Sequence, residues 1–357
     1  MSADIKQEIK PEERKPTKIE LAIDKDALKK LRLVAVAYSH VEREWFPTEE
    51  SYIAELEVED RAQEVIDMLQ SLGINAKGYP GDQYFFTNLL VDKPDVVLNL
   101  VDTLRGRDKL QPSVPAALEL AQIPYTGSGI EGMVIGNSRN ITKRMLLAYD
   151  IPTPAFQFIR RAGTSIDESL GLPLIVKLNE GGGSVGIDNK AVKETVDAAQ
   201  KKVDKMISTY HIPCVVERFI DGLEITACVF DDGTRKHVFL GQKKFRFKPD
   251  GKHSFTSLES YSNDEDAYVY TKVEEPLASK VSKLVVRAFR ACEFKDYAKF
   301  DLRIEESTNT VYFTDCNPNT AFGPDIGLPF TEVLAMHGMK FPDVLSSLVS
   351  KYAKLLP

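Results

Sequence analysis

Five apolar residues in a row, Leu33 to Ala37, end a charged N-terminal stretch and predict a strand buried on both faces. Downstream, Ala62, Val65, Ile66, Leu69 and Leu72 recur at helical spacing and Gly73 follows, which predicts an amphipathic helix with a glycine stop. Val96 to Leu100 predicts a second buried strand, Val114 to Ala121 a helix, and Ile123 to Ser128 a third strand ending in a turn. Strand and helix alternating in this way predict an α/β unit: a parallel sheet with helices on its faces. Ligands of such sheets sit at the carboxyl ends of the strands.

From about Asn137 the rhythm changes. A helix predicted over Arg139 to Tyr149 runs into Ile151-Pro152-Thr153-Pro154, where the prolines hold the chain extended. Leu174 to Lys177 predicts a strand entering a glycine-rich loop, 188–208 a polar helix, and Pro213 to Phe219 a connecting strand. Beyond Ile220, strands alternate with two helices, one of them built on Leu277, Val281, Leu284, Val285 and Ala288. The expected division is a charged tail over 1–30, an N-terminal α/β domain over 31–136, a central subdomain over 137–218 and a C-terminal subdomain over 219–357. The tail is dense in Lys, Glu, Asp and Pro and is expected to be disordered, because it buries too little apolar surface to offset its ordering entropy.

Composition narrows the function. Forty-six Lys and Arg against 53 Asp and Glu leave a net charge of −7, which argues against a protein built to grip nucleic acid. No apolar run is long enough to span a bilayer. The four cysteines form no CxxC pair and the five histidines are scattered, so a zinc site or disulfide scaffold is not expected and the cytoplasm is the natural home. A multidomain intracellular enzyme remains.

Three segments can carry chemistry. Glu180-Gly181-Gly182-Gly183-Ser184-Val185-Gly186 follows the Lys177 strand; glycines let backbone N–H groups approach a phosphate, and Lys177 supplies charge. It matches neither GxxxxGK[ST] nor GxGxxG, and the same glycines would serve an ordinary hairpin tip. Cys214 to Glu224 is an apolar strand ending in Glu217, able to offer a backbone edge and a carboxylate to a nucleoside, or to be a strand followed by a polar turn. The third segment is the most specific. Tyr297 to Arg303 alternates, which sets Lys299, Asp301 and Arg303 on one face, while Asp315 and Asn317 share a face after the turn Glu306 to Thr310. Paired as a hairpin, they would bring two carboxylates, an amide oxygen and two cations together. Oxygen ligands of this kind suit Mg²⁺ shared with phosphates, and Lys299 and Arg303 would face charge developing on transferred oxygens.

These segments, in this order, resemble the ATP-grasp fold from about residue 31 onward, and within it the D-alanine–D-alanine ligases. Ile123 to Ser128, Ile151 to Pro154 and Val216 to Thr226 each resemble family segments: the end of the first domain, the lead-in to the central domain, and the adenine-binding connector. The resemblance implies an N-terminal parallel-sheet domain and two ATP-grasp subdomains clamping ATP. It implies a ligase in which ATP phosphorylates one amino acid's carboxylate and a second amino acid's amine attacks the acyl phosphate. It further implies that Arg139, Lys177 and Gly183 hold the phosphates, that Glu217, Arg218 and Ile220 line the adenine, and that Glu224 meets the ribose. Asp301, Asp315 and Asn317 would hold two Mg²⁺ ions, for which Mn²⁺ can substitute, and the catalytic set would be Glu42, Ser184, Tyr261, Lys299 and Arg303. The implied partners are ATP and amino acids, with no nucleic acid or membrane, in a homodimer serving the cell wall.

The resemblance leaves the ATP and Mg²⁺ machinery mostly retained, with single changes there and more drift at the substrate-facing positions. Arg139 stands where the family has Lys, Asp315 where it has Glu, Lys299 where it has Arg, Gly183 where it has Ser, and Ser260, beside Tyr261, where it has Lys. Lys243 and Lys244 lie upstream as an alternative source of charge, and loop 250–268 is expected to close over the acyl phosphate. Two other readings fit the same residues: the same chemistry on other amino acids or small amines, and a nucleotide-binding sensor or partner subunit that has lost catalysis.

Overall fold

The apolar run at Leu33 becomes β1 (Val34–Tyr38), the centre of a parallel sheet with β2 (Ala76–Pro80) on one side and β3 (Val96–Leu100) on the other. The computed structural model describes residues 19–248, 250–258, 267–325 and 327–355, so Tyr261 and part of the expected closing loop lie outside the described residues. Sequence pattern did not reveal β2, because of its five residues only Ala76 and Tyr79 are buried. The third strand expected at Ile123 to Ser128 shrinks to a parallel bridge between Val97 and Tyr125.

A second sheet is antiparallel, in the order β4 (Phe156–Ile159), β7 (Cys214–Arg218), β5 (Leu174–Leu178), β6 (Val192–Lys193). The helix Val196–Tyr210 covers it with Ala199, Val203 and Met206, while 188–195, expected to be helical, includes β6 instead. The third sheet, also antiparallel, runs β10 (Tyr268–Lys272), β9 (Lys236–Phe245), β8 (Gly222–Asp231), β11 (Tyr297–Glu305), β12 (Thr310–Asn317). The helix Leu277–Ala291 lays Val281, Val285, Ala288 and Phe289 on that sheet, spaced as one helical face. Full burial of each larger side chain there contributes roughly 1.5–3 kcal/mol.

One hydrophobic core joins Val34, Val36 and Leu98 of the parallel sheet to Phe230, Tyr297, Phe322 and the C-terminal helix residues Phe341 and Leu345. Buried Asp296 fastens the same junction, accepting from the Gly127 N–H at 2.7 Å, Lys351 Nζ at 2.8 Å and the Tyr352 hydroxyl at 2.5 Å. The disorder expected for 1–30 is corrected from residue 19 onward. Ile19, Leu21 and Leu28 pack against this core, the Ala22 N–H donates to Asp232 at 3.2 Å, and Ser347 donates to the Ala22 carbonyl at 2.7 Å. The physical reason is a short apolar alternation, Ile19, Leu21 and Ile23, that the surrounding charge masks in any composition average. Among the described residues no helix is long and apolar enough to cross a membrane.

Candidate active site

The three sheets meet around a cleft of about 300 Å³. At its centre, β11 and β12 form the expected hairpin, with Asp301 opposite Asp315 and Lys299 opposite Asn317. A bulge between Asp301 and Leu302 breaks the register there, and such bulges re-aim side chains. On the other face, Phe300 and Phe313 pack edge to face in the core, which anchors the hairpin.

The carboxylates of this hairpin are held by cations. Arg139 donates to Asp315 at 2.6 Å and Lys299 to Asp301 at 2.5 Å, while the Asn317 amide lies 3.4 Å from Asp301. Burial by itself would raise the Asp315 carboxyl, but Arg139, Lys177 and Lys299 beside it bring it down to about 2. Burial also opposes charge on Lys299, yet Asp301 keeps that ammonium above the usual lysine pKa.

Behind the hairpin, Glu217 at the end of β7 is almost fully buried between Lys143 at 3.2 Å and Lys177 at 3.4 Å. Lys143 was not expected at the site, although it lies one helical turn from Arg139, on the same face. Ser184 and Gly183 line the cleft in left-handed conformations, with φ of 57° and 59°. The loop that carries them is fixed at one end by Arg139, which donates to the Gly181 carbonyl at 3.0 Å. At the other end the Gly186 N–H donates to Glu50 at 2.7 Å.

Glu224 occupies the middle of a cross-strand row, with Lys243 of β9 on one side and Arg303 of β11 on the other. It accepts from Lys243 at 3.1 Å, Thr256 at 2.6 Å and Arg303 at 2.8 Å. Lys243, suggested as an upstream source of charge, is therefore inside the cleft. Arg303 requires a correction: instead of facing transferred oxygens it turns to Glu224 and to the carbonyls of Ile220, Gly222 and Ser254, and stacks on Phe219. The cause is the β8–β11 register, which sets Glu224 directly across from it. Ile220 and Arg218 also line the cleft, Arg218 being paired with Glu305 at 2.9 Å.

Glu42 is the second correction. It is half-exposed, paired with His40 at 3.2 Å, and does not line the cleft. The acidic residues that do line it near the ends of β1 and β3 are Glu55, Asp102 and Asp108, with Arg61 bound to Asp102 at 2.8 Å. No periodicity marked them, because Glu55 and Asp102 sit in the connections between elements and Asp108 opens a short 3-10 helix, Asp108–Leu110.

Burial would raise the Glu224 carboxyl, but Lys243 and Arg303 outweigh it and bring it to about 2, against an ordinary value of 4.5. A depressed carboxyl stabilises the fold above its unfolded pKa and loses that contribution as pH falls through the folded one. The expected loss between pH 4.5 and 2 is about 3 kcal/mol. Urea unfolding at pH 7, 4 and 3 should therefore show a steeper acid loss in the native protein than in Glu224→Gln. Parallel acid limbs would contradict the assignment.

Comparison with known proteins agrees with this geometry. A family model described as "D-ala D-ala ligase C-terminus" matches residues 145–350. A curated D-alanine–D-alanine ligase of Polaromonas naphthalenivorans is 30% identical over 260 residues, 71% of this chain and 77% of the relative. The crystal structure of the Bacillus anthracis D-alanine–D-alanine ligase complexed with ATP superposes with a TM-score of 0.67 at 18% identity, covering 90% of this chain and 98% of the other. The VanG D-Ala:D-Ser ligase of Enterococcus faecalis superposes with a TM-score of 0.65 at 14% identity, covering 90% and 99%. The match over more than half its length shows that the chain belongs to the D-alanine–D-alanine ligase family, ligases built on the ATP-grasp fold.

Proposed function

We propose that the protein is an ATP- and Mg²⁺-dependent ligase that joins the carboxylate of one amino acid to the amine of a second through an acyl phosphate, as its relatives named for D-alanine do. The observation that carries this reading is the hairpin on which Asp301, Asp315 and Asn317 converge beside Arg139, Lys177 and Lys299. Among the described residues no group of three or more His, Cys, Asp or Glu forms a metal cage. Two carboxylates and an amide fit Mg²⁺ that completes its shell with phosphate oxygens and water. Bound there, it would neutralise phosphate charge.

In this reading Lys177, Arg139 and the backbone around Gly183 and Ser184 bind the ATP phosphates. The adenine rests against the Glu217–Ile220 connector, and Glu224, held by Lys243 and Arg303, faces the ribose. Arg303 thus acts as a positioning residue. Attack by a substrate carboxylate oxygen on the γ-phosphorus releases ADP and leaves an acyl phosphate. The second substrate's amine then adds to the carbonyl carbon, loses a proton, and expels phosphate. Lys299 is placed to stabilise the tetrahedral oxygen, as a point charge without the bidentate fork of an arginine.

A cytoplasmic setting belongs to the same reading and is supported by four unpaired, buried cysteines. A homodimer also belongs to it, supported by the family likeness. Phosphate release from Mg²⁺-ATP across a panel of D- and L-amino acids tests the reaction. Amino-acid-stimulated release is expected, and tight ATP binding without it would favour a catalytically lapsed sensor. Transfer of the same chemistry to amino acids other than alanine is favoured by the acidic lining near Asp102.

A further inference from the structure

At the end of the cleft reached by β1 and β3, three carboxylates and a glutamine are gathered, and Arg139, farther along the wall, also acts on Asp108. Glu55, Asp102 and Asp108 line that end together with Gln111 and Arg61. Arg61 is committed to Asp102, and among the described residues neither Glu55 nor Asp108 has an ion-pair partner. Gln111 is only 7% exposed; its Nε2 donates to the Asp102 carbonyl, and its Oε1 has no hydrogen-bond partner. A buried acceptor without a donor is uncommon in a native fold and is open to a donor from a water or a ligand.

The position connects this lining to the reaction. Asn319, two residues beyond the candidate metal ligand Asn317, donates to the Val101 carbonyl at 2.8 Å. That bond ties the end of the hairpin to the backbone next to Asp102. On the opposite wall Asn137, two residues before Arg139, donates to the Asp108 carbonyl at 3.0 Å. The hairpin and the acidic end thus belong to one continuous cleft, along which a substrate with its carboxylate at the hairpin can extend. A methyl side chain would leave these acceptors dehydrated and unpaired, whereas an ammonium offers three N–H donors and a positive charge. Burial already strains the group, pushing Asp108 up to about 6 and Glu55 well above the usual carboxylate range.

We propose that Glu55, Asp102, Asp108 and Gln111 form a subsite for a side-chain ammonium, so that one of the two substrates is a basic amino acid rather than alanine. The proposal rests on the ligase reading for its substrate class but is tested by binding alone. The protein, loaded with Mg²⁺ and a non-hydrolysable ATP analogue, is titrated calorimetrically with ornithine and with norvaline, which has the same carbon chain and no terminal amine, each in D and L forms. Ornithine should bind at least about tenfold more tightly than norvaline in one chirality, a difference of roughly 1.4 kcal/mol. Glu55→Gln and Asp108→Asn, each isosteric and checked for an unchanged melting temperature, should each reduce that preference to about threefold or less. Equal binding, a preference for norvaline, binding of neither, or a preference that survives both substitutions would overturn the subsite. Ornithine binding with no phosphate release from Mg²⁺-ATP, whether ornithine is supplied alone or together with each amino acid of the panel, would instead refute the ligase reading and leave the subsite standing.

Discussion

Asp301→Asn will lower amino-acid-stimulated phosphate release by about a thousandfold or more while the protein stays folded and still binds adenine nucleotide. The size follows from what the side chain does in the proposed reaction. Removing a single preorganised charge-stabilising group typically costs 10²–10³ in rate, and a metal-binding carboxylate acts on both the ion and the phosphate it holds. The fold should tolerate the change because Asp301 lies on the cleft face of β11, with Phe300 and Leu302 carrying the packing behind it. The structural cost is the partner lost by Lys299, itself only 16% exposed in its side chain. That ammonium keeps Asp315 in its field, so the stability loss should stay at about 1–2 kcal/mol and the melting temperature should fall by a few degrees. Release assayed at saturating Mg²⁺, with far-ultraviolet circular dichroism as a control, decides the matter. Near-native turnover would show that the hairpin is not the metal site.

What the sequence disclosed and what it hid follow one physical rule. The hairpin was legible because strand alternation is local: Phe300 and Leu302 inward force Lys299, Asp301 and Arg303 outward, whatever the rest of the chain does. The Lys177 strand, the Glu217 strand and the helix at Leu277 were legible for the same reason. Arg303 was misjudged because its partner is decided by the pairing of β8 with β11, some 80 residues apart, and that register delivers Glu224 to its guanidinium. Glu42 was misjudged because the path between β1 and the helix Val58–Ser71 decides which carboxylate reaches the cleft, and no periodicity constrains a turn. Lys143 shares a helical face with Arg139, one turn away. Its burial inverts the usual expectation for lysine, and Glu217 at 3.2 Å accounts for it together with the Thr153 hydroxyl, which accepts from it at 2.9 Å.

That pair sets the second large effect. Glu217→Leu is expected to destabilise the fold by about 3–5 kcal/mol, because it leaves Lys143 and Lys177 facing each other without their shared carboxylate. Chemical denaturation at pH 7 measures this directly. Lys143→Met combined with Glu217→Leu should recover most of the loss, since an apolar pair of similar volume removes the desolvation cost together with the attraction. The double variant should nevertheless fail to bind an ATP analogue, which separates the packing role of the pair from the role proposed for the connector. The pH dependence gives an independent check. Burial already holds the Lys143 ammonium below the ordinary lysine value of 10.5, and Glu217 is the strongest influence opposing it. Without Glu217 the pKa of Lys143 falls further, so over a wide range the unfolded chain binds a proton that the native state lacks. Stability of Glu217→Leu must then rise with pH toward 10.5, and its deficit relative to the native protein must shrink. A deficit independent of pH would mean that the loss comes from packing around the introduced leucine and that the buried lysine was never charged.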